Sequence, residues 1–284
     1  MKREAKVFLA IMFAVIMLGG AASQSQAIFP AEDGFLVPYA YYDGTTDTMV
    51  GLITWIESGS VYWSFMSPDG AQWAQGVLPA TTAYKIPFSL RTADGNAHSG
   101  QVGYLIFTYD NDGTLQTGEN RNEIAANAVL LSTNDAAFLP VIPLDRADYA
   151  NANINLNNPL SAGTIVGLSY GFAADAYISA SYWIDPAFDA ETSLVIWCSQ
   201  TPPATFEAET YPTTSFDWDE VTFNRVHTVL NVYDMETEMM GSDSGSVDGF
   251  VDIFENQGGE RIIFTLIKSS TFSAMQTLLG FYQP

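Results

Sequence analysis

"FLVPYAYYDGTTDTMVGLITWI", residues 35–56, reads as two β-strands joined by a turn. Both runs are rich in Val, Ile, Leu and aromatic residues, and between them stand Asp, Gly and Thr, which bend a chain readily. The same texture recurs in "SVYWSFM" (60–66), "QVGYLIFTY" (101–109), "NAVLLS" (127–132), "TIVGLSYG" (164–171) and "AYISASYWI" (176–184). It returns in "SLVIWCS" (193–199), "FNRVHTVLNVY" (223–233) and "RIIFTLIK" (261–268). No segment carries a long apolar stripe at helical spacing, and "ENRNEIAANAVLL" (119–131) offers one helical turn at most. The class is all-β.

The kind of β protein follows from which strand faces are apolar. Strands of a membrane barrel alternate lipid-facing and lumen-facing residues. "VGYLIF" (102–107), "LVIW" (194–197) and "RIIFTLI" (261–267) are apolar on both faces, as in a packed antiparallel sandwich of Ig-like type. Pro38, Pro87, Pro140 and Pro143 suit edge strands and turns.

Short matches recur in order along the chain: "TMVGLITW" (48–55) with "TIVGLSYG" (164–171), "SFMSPD" (64–69) with "SYWIDP" (181–186), and "FTYDND" (107–112) with "NVYDME" (231–236). They predict a duplication, with chance convergence of β sequence as the alternative. The Asn- and Ala-rich stretch 144–163 would join two tandem sandwich domains, residues 28–148 and 149–284.

The N-terminus has the layout of a signal peptide over residues 1–27: a basic leader, an apolar core Val7–Leu18, and small residues Ser25 and Ala27 before Ile28. Such a core is shorter than the roughly 20 residues of a membrane span, and no second span is evident. The expectation is an exported product at the cell surface, in the periplasm or outside the cell, with no integral membrane span in the mature chain. The full chain carries a formal charge of −22, and loss of the leader's three basic and one acidic residues makes it −24. That field repels nucleic acid and attracts cations and basic partners. The single cysteine, Cys198, lies in an apolar run and reads as a core residue.

Residues 108–119 have the spacing of a twelve-residue calcium loop. With Gly113 at position 6, oxygen ligands fall at Asp110, Asp112, Thr114, Gln116 and Glu119. The stretch resembles the calcium loops of EF-hand and dockerin-type modules. Thr108 replaces the usual first aspartate and the preceding run is a strand, so the site would bind Ca²⁺ weakly or serve only as an acidic turn. Asp217, Trp218 and Asp219 in "FDWDEV", downstream of Glu207 and Glu209, form a second candidate, for a cation or a sugar. Asp243 and Asp248 lie in "GSDSGSVDGF", which reads as a flexible acidic loop. Trp63, Trp73, Trp183 and Trp218 are candidates for sugar stacking, weighed against core packing, whereas Trp55 and Trp197 read as core.

Catalysis finds little footing. His98 falls in a loop, His227 in a strand, and no convergent cluster is expected around either. Zinc-binding and nucleophile-elbow patterns are missing from the sequence. The runs "FLVPYAYYDGTTDTMVGLI" (35–53) and "AAFLPVIPL" (136–144) resemble exported bacterial β-sandwich surface proteins, and the resemblance implies a surface or extracellular location. The reading is a non-catalytic structural or adhesive protein with a cell-surface or matrix partner or a glycan. A pair of carbohydrate-binding modules is the main alternative, and a secreted hydrolase with an acidic site a further one.

Overall fold

A computed structural model describes residues 34–54, 59–80, 85–109, 124–133, 135–144, 177–198, 202–213, 219–239, 247–254 and 261–283. The strands before the central gap are β1 (Gly34–Tyr41), β2 (Thr46–Thr54), β3 (Gly59–Met66), β4 (Gln72–Ala80), β5 (Lys85–Ser89), β6 (Val102–Tyr109), β7 (Ile124–Ser132), β8 (Ala136–Leu139) and β9 (Ile142–Leu144). Those after it are β10 (Tyr177–Ile184), β11 (Ala190–Cys198), β12 (Thr205–Pro212), β13 (Asp219–Asn224), β14 (Leu230–Asp234), β15 (Val247–Phe254), β16 (Arg261–Ser269), β17 (Ala274–Leu279) and β18 (Phe281–Gln283). They build four open antiparallel sheets: sheet I, β4-β3-β6-β1-β9; sheet II, β5-β2-β7-β8; sheet III, β13-β12-β15-β10-β18; and sheet IV, β14-β11-β16-β17. The all-β sandwich class expected from the sequence is what the chain adopts. In immunoglobulin domains the first two strands are neighbours in one sheet; here β1 and β2 fall in different sheets, so the strand order is another one.

Sheet III repeats the order of sheet I, and sheet IV that of sheet II, strand for strand. Side chains repeat with it. Thr48 Oγ1 accepts from Tyr41 N and donates to Tyr41 O, both at 2.9 Å. Thr192 does the same to Trp183, at 3.0 and 2.6 Å. Both threonines are buried, and each satisfies two main-chain groups where a strand leaves its sheet. Gly103 and Gly249 are a second pair. A Cβ on either would stand 2.2 Å from a carbonyl oxygen, that of Met66 or of Tyr211, so only glycine lets the backbones approach.

This repeat has a different alignment from the one read in the sequence. "TIVGLSYG" lies outside the described residues, and the counterpart of β2 is β11. "SFMSPD" begins on β3 but "SYWIDP" on β10; "FTYDND" begins on β6 but "NVYDME" on β14. Neither pair occupies equivalent strands. The junction at 148/149 and residues 1–27 lie outside the described residues.

Two apolar clusters hold the sheets together. Trp63 and Phe107 of sheet I pack on Phe88 of sheet II, with ring centroids 5.2 and 5.0 Å apart. Leu194, Ile196 and Cys198 of β11 belong to the core shared with sheet III, where Thr265 Oγ1 reaches Ser181 O at 2.7 Å. The alternate residues Val195 and Trp197 join the cluster of the first half, as do Ile262, Phe264 and Leu266 of β16. The centre of sheet IV, strands β11 and β16, is therefore buried on both faces. Tyr104 of sheet I meets Trp197 edge to face at 5.9 Å. The turn after β3 is fastened to the segment before β14: Val229 N and Leu230 N both donate to Pro68 O at 3.0 Å. Beside them Thr228 N donates to Asp69 Oδ1 at 3.1 Å, and His227 Nδ1 lies 3.1 Å from Asp69 Oδ2. Burial alone would raise the Asp69 carboxyl, but these partners hold it below the usual value. His227 thus sits in a bend, not in a strand as the sequence suggested.

Candidate functional site

The proposed calcium ligands Asp110, Asp112, Thr114, Gln116 and Glu119 lie outside the described residues, as do Asp217, Trp218 and Asp243. Strand β6 covers the first two positions of that loop, Thr108 and Tyr109, and Thr108 is buried. Asp219 is exposed at the start of β13, paired with Thr210 of β12.

Asp219 belongs to sheet III, and the outer face of that sheet is the most distinctive surface described. "TFEAETYP" (205–212) sends Phe206, Ala208 and Thr210 inward and Glu207, Glu209 and Tyr211 outward. "VDGFVDIF" (247–254) buries Val251 and Ile253 and turns Asp248, Phe250 and Asp252 out. Asp248, read from the sequence as part of a flexible loop, is thus in a strand.

Register stacks these residues in rows. Tyr211 stands opposite Phe250, Glu209 opposite Asp252 on one side and Glu220 on the other, and Ser179 opposite Asp252. Three carboxylates therefore share one row across three strands, where like charges directly opposite repel. Part of the strain is taken up by Tyr211 and Ser179, whose hydroxyls donate to Glu209 and Asp252. Burial, and then the neighbouring Glu209 charge, raise the Asp252 carboxyl above the ordinary value. The hydrogen bond to Glu209, with some burial, pushes the Tyr211 phenol up to about 12. Among the described basic residues of this half, Arg225 donates to Pro202 O, Arg261 covers the Phe206 ring and Lys268 lies on sheet IV.

The equivalent face of sheet I shows what is unusual here. Its register sets Met66 against Tyr104 and Ser64 against Ile106, where sheet III has Tyr211 against Phe250 and Glu209 against Asp252. The four sheet I residues are at most 2% exposed, whereas Tyr211 is 38% and Phe250 49% exposed. One face is neutral and buried in the joint between the halves; its counterpart is acidic, aromatic and open.

At one end of this face Trp183, half-buried, is stacked with Phe272, centroids 6.3 Å apart and planes 26° apart. Phe272 in turn stacks on Phe188 at 5.0 Å and 27°. Asp189 and Ser270, hydrogen-bonded to one another, flank the stack in sequence. Of the other tryptophans proposed for sugar stacking, Trp63 is only 4% exposed and packs on Phe88, which removes it as a platform. Trp73 lies parallel to the His98 ring at 5.0 Å. Trp197 is core as expected, and Trp55 lies outside the described residues.

His98 does gather a cluster, contrary to the expectation from sequence. Its Nδ1 lies 2.9 Å from Asp94 Oδ1, and its main-chain N–H donates to Asp94 Oδ2 and to Tyr42 Oη at 2.8 Å. Tyr42 Oη donates to the same carboxylate. Burial, then the bond to Asp94, pushes the Tyr42 phenol up to about 12. What joined these residues was invisible in sequence: Tyr42 follows the last residue of β1, and Asp94 closes a helical turn, Leu90–Asp94, capped by Ser89, the last residue of β5. The arrangement pins the loop at residues 95–100 to the end of β1.

Neither a protein-family model nor a curated protein matches this chain. Among the described residues no helix is long and apolar enough to cross a membrane, and no three metal-binding side chains converge.

Proposed function

We propose that the protein is an exported, non-catalytic structural or adhesive component of the cell surface or extracellular space, two tandem sandwich domains that hold a partner on the outer face of sheet III. One observation carries the reading: equivalent positions are neutral and buried in sheet I but acidic, aromatic and open in sheet III. Exposed aromatics rimmed by polar groups mark interaction surfaces. The signal-peptide layout of residues 1–27 supports export. Deleting the gene should reduce surface attachment of the cells, and the wild-type protein should restore it. Restoration should fail with Tyr211→Ala/Phe250→Ala, which truncates only the open face; full restoration by that variant would exclude this surface.

A glycan is the second reading, and the Trp183–Phe272–Phe188 stack favours it, since flat rings suit the apolar faces of pyranoses. A glycan-array signal that Trp183→Ala abolishes supports it; silence across the array removes it.

The loop at 108–119 is proposed as a weak calcium site that orders the protein. Extracellular modules bind Ca²⁺ at about 10⁻⁴–10⁻³ M. At ten times the dissociation constant, linkage stabilises the fold by about 1.4 kcal/mol. Millimolar calcium should therefore raise Tm, magnesium should do less, and Asp112→Asn/Glu119→Gln should erase the increase. A flat calcium titration by both melting and calorimetry would leave the stretch an acidic turn.

A further inference from the structure

The two halves line an open cavity of about 360 Å³ to which no strand of sheet III contributes. Its walls come from both halves: Ser132 and Asp135 from the β7–β8 hairpin, and Asp189, Glu191, Lys268 and Ser273 from the loops and strands around sheet IV. Its volume falls in the range of small-molecule sites.

One polar atom of its walls is unfinished. Asp135 Oδ1 accepts from Ala136 N at 2.7 Å, but the second oxygen, Oδ2, is buried with no hydrogen-bond partner among the described residues. Lys268 stands opposite Glu191 in register and lines the same cavity, where its ammonium is a donor. A buried polar atom without a partner destabilises the fold, and a ligand that supplies the partner recovers that cost. Burial holds the lysine below its ordinary value, against Glu191 and Asp43, which pull it upward. Burial likewise raises the Asp135 carboxyl, against the bond from Ala136 N.

Charge narrows the class of ligand. Asp135, Asp189 and Glu191 outnumber Lys268, so the walls repel a simple anion, and what selects further is the pairing of an acceptor at Asp135 with a donor at Lys268. A hydroxyl group meets both demands at once, because it accepts from an ammonium through its oxygen and donates its proton to a carboxylate. A ring bearing several hydroxyls does so at several points while staying neutral.

We propose that this cavity is a binding site for a neutral polyhydroxylated unit, a single sugar ring, held between Lys268 and Asp135. The site does not depend on the outer face of sheet III, and its failure leaves that face untouched. It adjoins the Trp183 stack without including its rings: Asp189 and Ser270, which flank the stack, line the cavity, and Ser269, another wall residue, donates to Phe188 O at 2.6 Å.

The test is saturation-transfer NMR and calorimetry on the mature chain with D-glucose, D-galactose and N-acetyl-D-glucosamine, and with acetate, ethylammonium and glycine as charged comparators. At least one sugar should bind, and none of the comparators. Lys268→Met and Asp135→Asn should each weaken that binding at least tenfold. Ala274→Trp, at an exposed rim position of the wall, should abolish it while leaving both charged groups in place. That variant keeps the test decisive even where a charge substitution lowers Tm. Sugar binding that survives Ala274→Trp, binding lost only in Trp183→Ala, binding of the charged probes alone, or no binding at all would each overturn the proposal.

Discussion

Trp197→Ala should lower the free energy of unfolding by about 3–5 kcal/mol, the usual cost of truncating a buried tryptophan. The indole is 3% exposed on β11, opposite Leu230 on one side and Ile262 on the other, and its ring meets Tyr104 of the first half. Because the cavity would open between sheets I and IV, the loss should fall on both halves. Denaturation of the wild type should follow one transition by Trp fluorescence and far-UV circular dichroism, and the variant should split into two. Trp197→Phe keeps a ring for Tyr104 and removes an indole N–H that has no partner among the described residues, so its cost should stay below about 1.5 kcal/mol. Ile196→Val, on the opposite face of the same strand, touches only the second core and should cost about 0.5–1.5 kcal/mol without splitting the transition. A Trp197→Ala loss under about 1 kcal/mol would mean that the halves are stable independently of their joint.

The joint explains what could be read in the sequence and what could not. Strands with apolar faces, such as β6 and β16, announced themselves, because burial on both sides demands Val, Ile, Leu and aromatics in a row. Strands β12 and β15 did not. Each pairs a buried apolar set with outward Glu or Asp, and the acids made them look like loops. The repeat was detectable but misaligned. Apolar octapeptides in any two strands resemble one another, whereas Thr48 with Thr192 and Gly103 with Gly249 are equivalent for reasons of backbone geometry that similarity of runs does not weigh. The acidic row could not be foreseen either: Glu209, Glu220 and Asp252 become neighbours only through register. Asp135 and Lys268 come from different halves, and only the packing of those halves places both on one cavity wall.

The same lesson applies at His98, where a residue expected in a plain loop turns out to be held by a buried carboxylate. Asp94→Ala should cost about 3 kcal/mol, because the side chain of Asp94 is 1% exposed and charged acceptors contribute about 1.5–3 kcal/mol per bond. It accepts from Tyr42 Oη and from the His98 main chain, and pairs with the His98 ring. Burial by itself would raise this carboxyl, but the bonds from Tyr42 and His98 outweigh burial and hold it below its ordinary 3.8. The sign follows from linkage. A carboxyl lowered in the folded state adds stability that is complete above the unfolded value and is lost as the pH falls through the folded one. Between about pH 4 and lower values, wild-type stability should therefore drop more steeply than that of Asp94→Asn, which keeps an acceptor for Tyr42 but has no proton to take up. His98→Gln should lose only the ring contact, and Phe65→Leu, which thins the wall behind that ring without touching the carboxylate, should leave the acid slope unchanged. Parallel acid slopes for the wild type and Asp94→Asn would show that the carboxylate is not the group that fastens this loop.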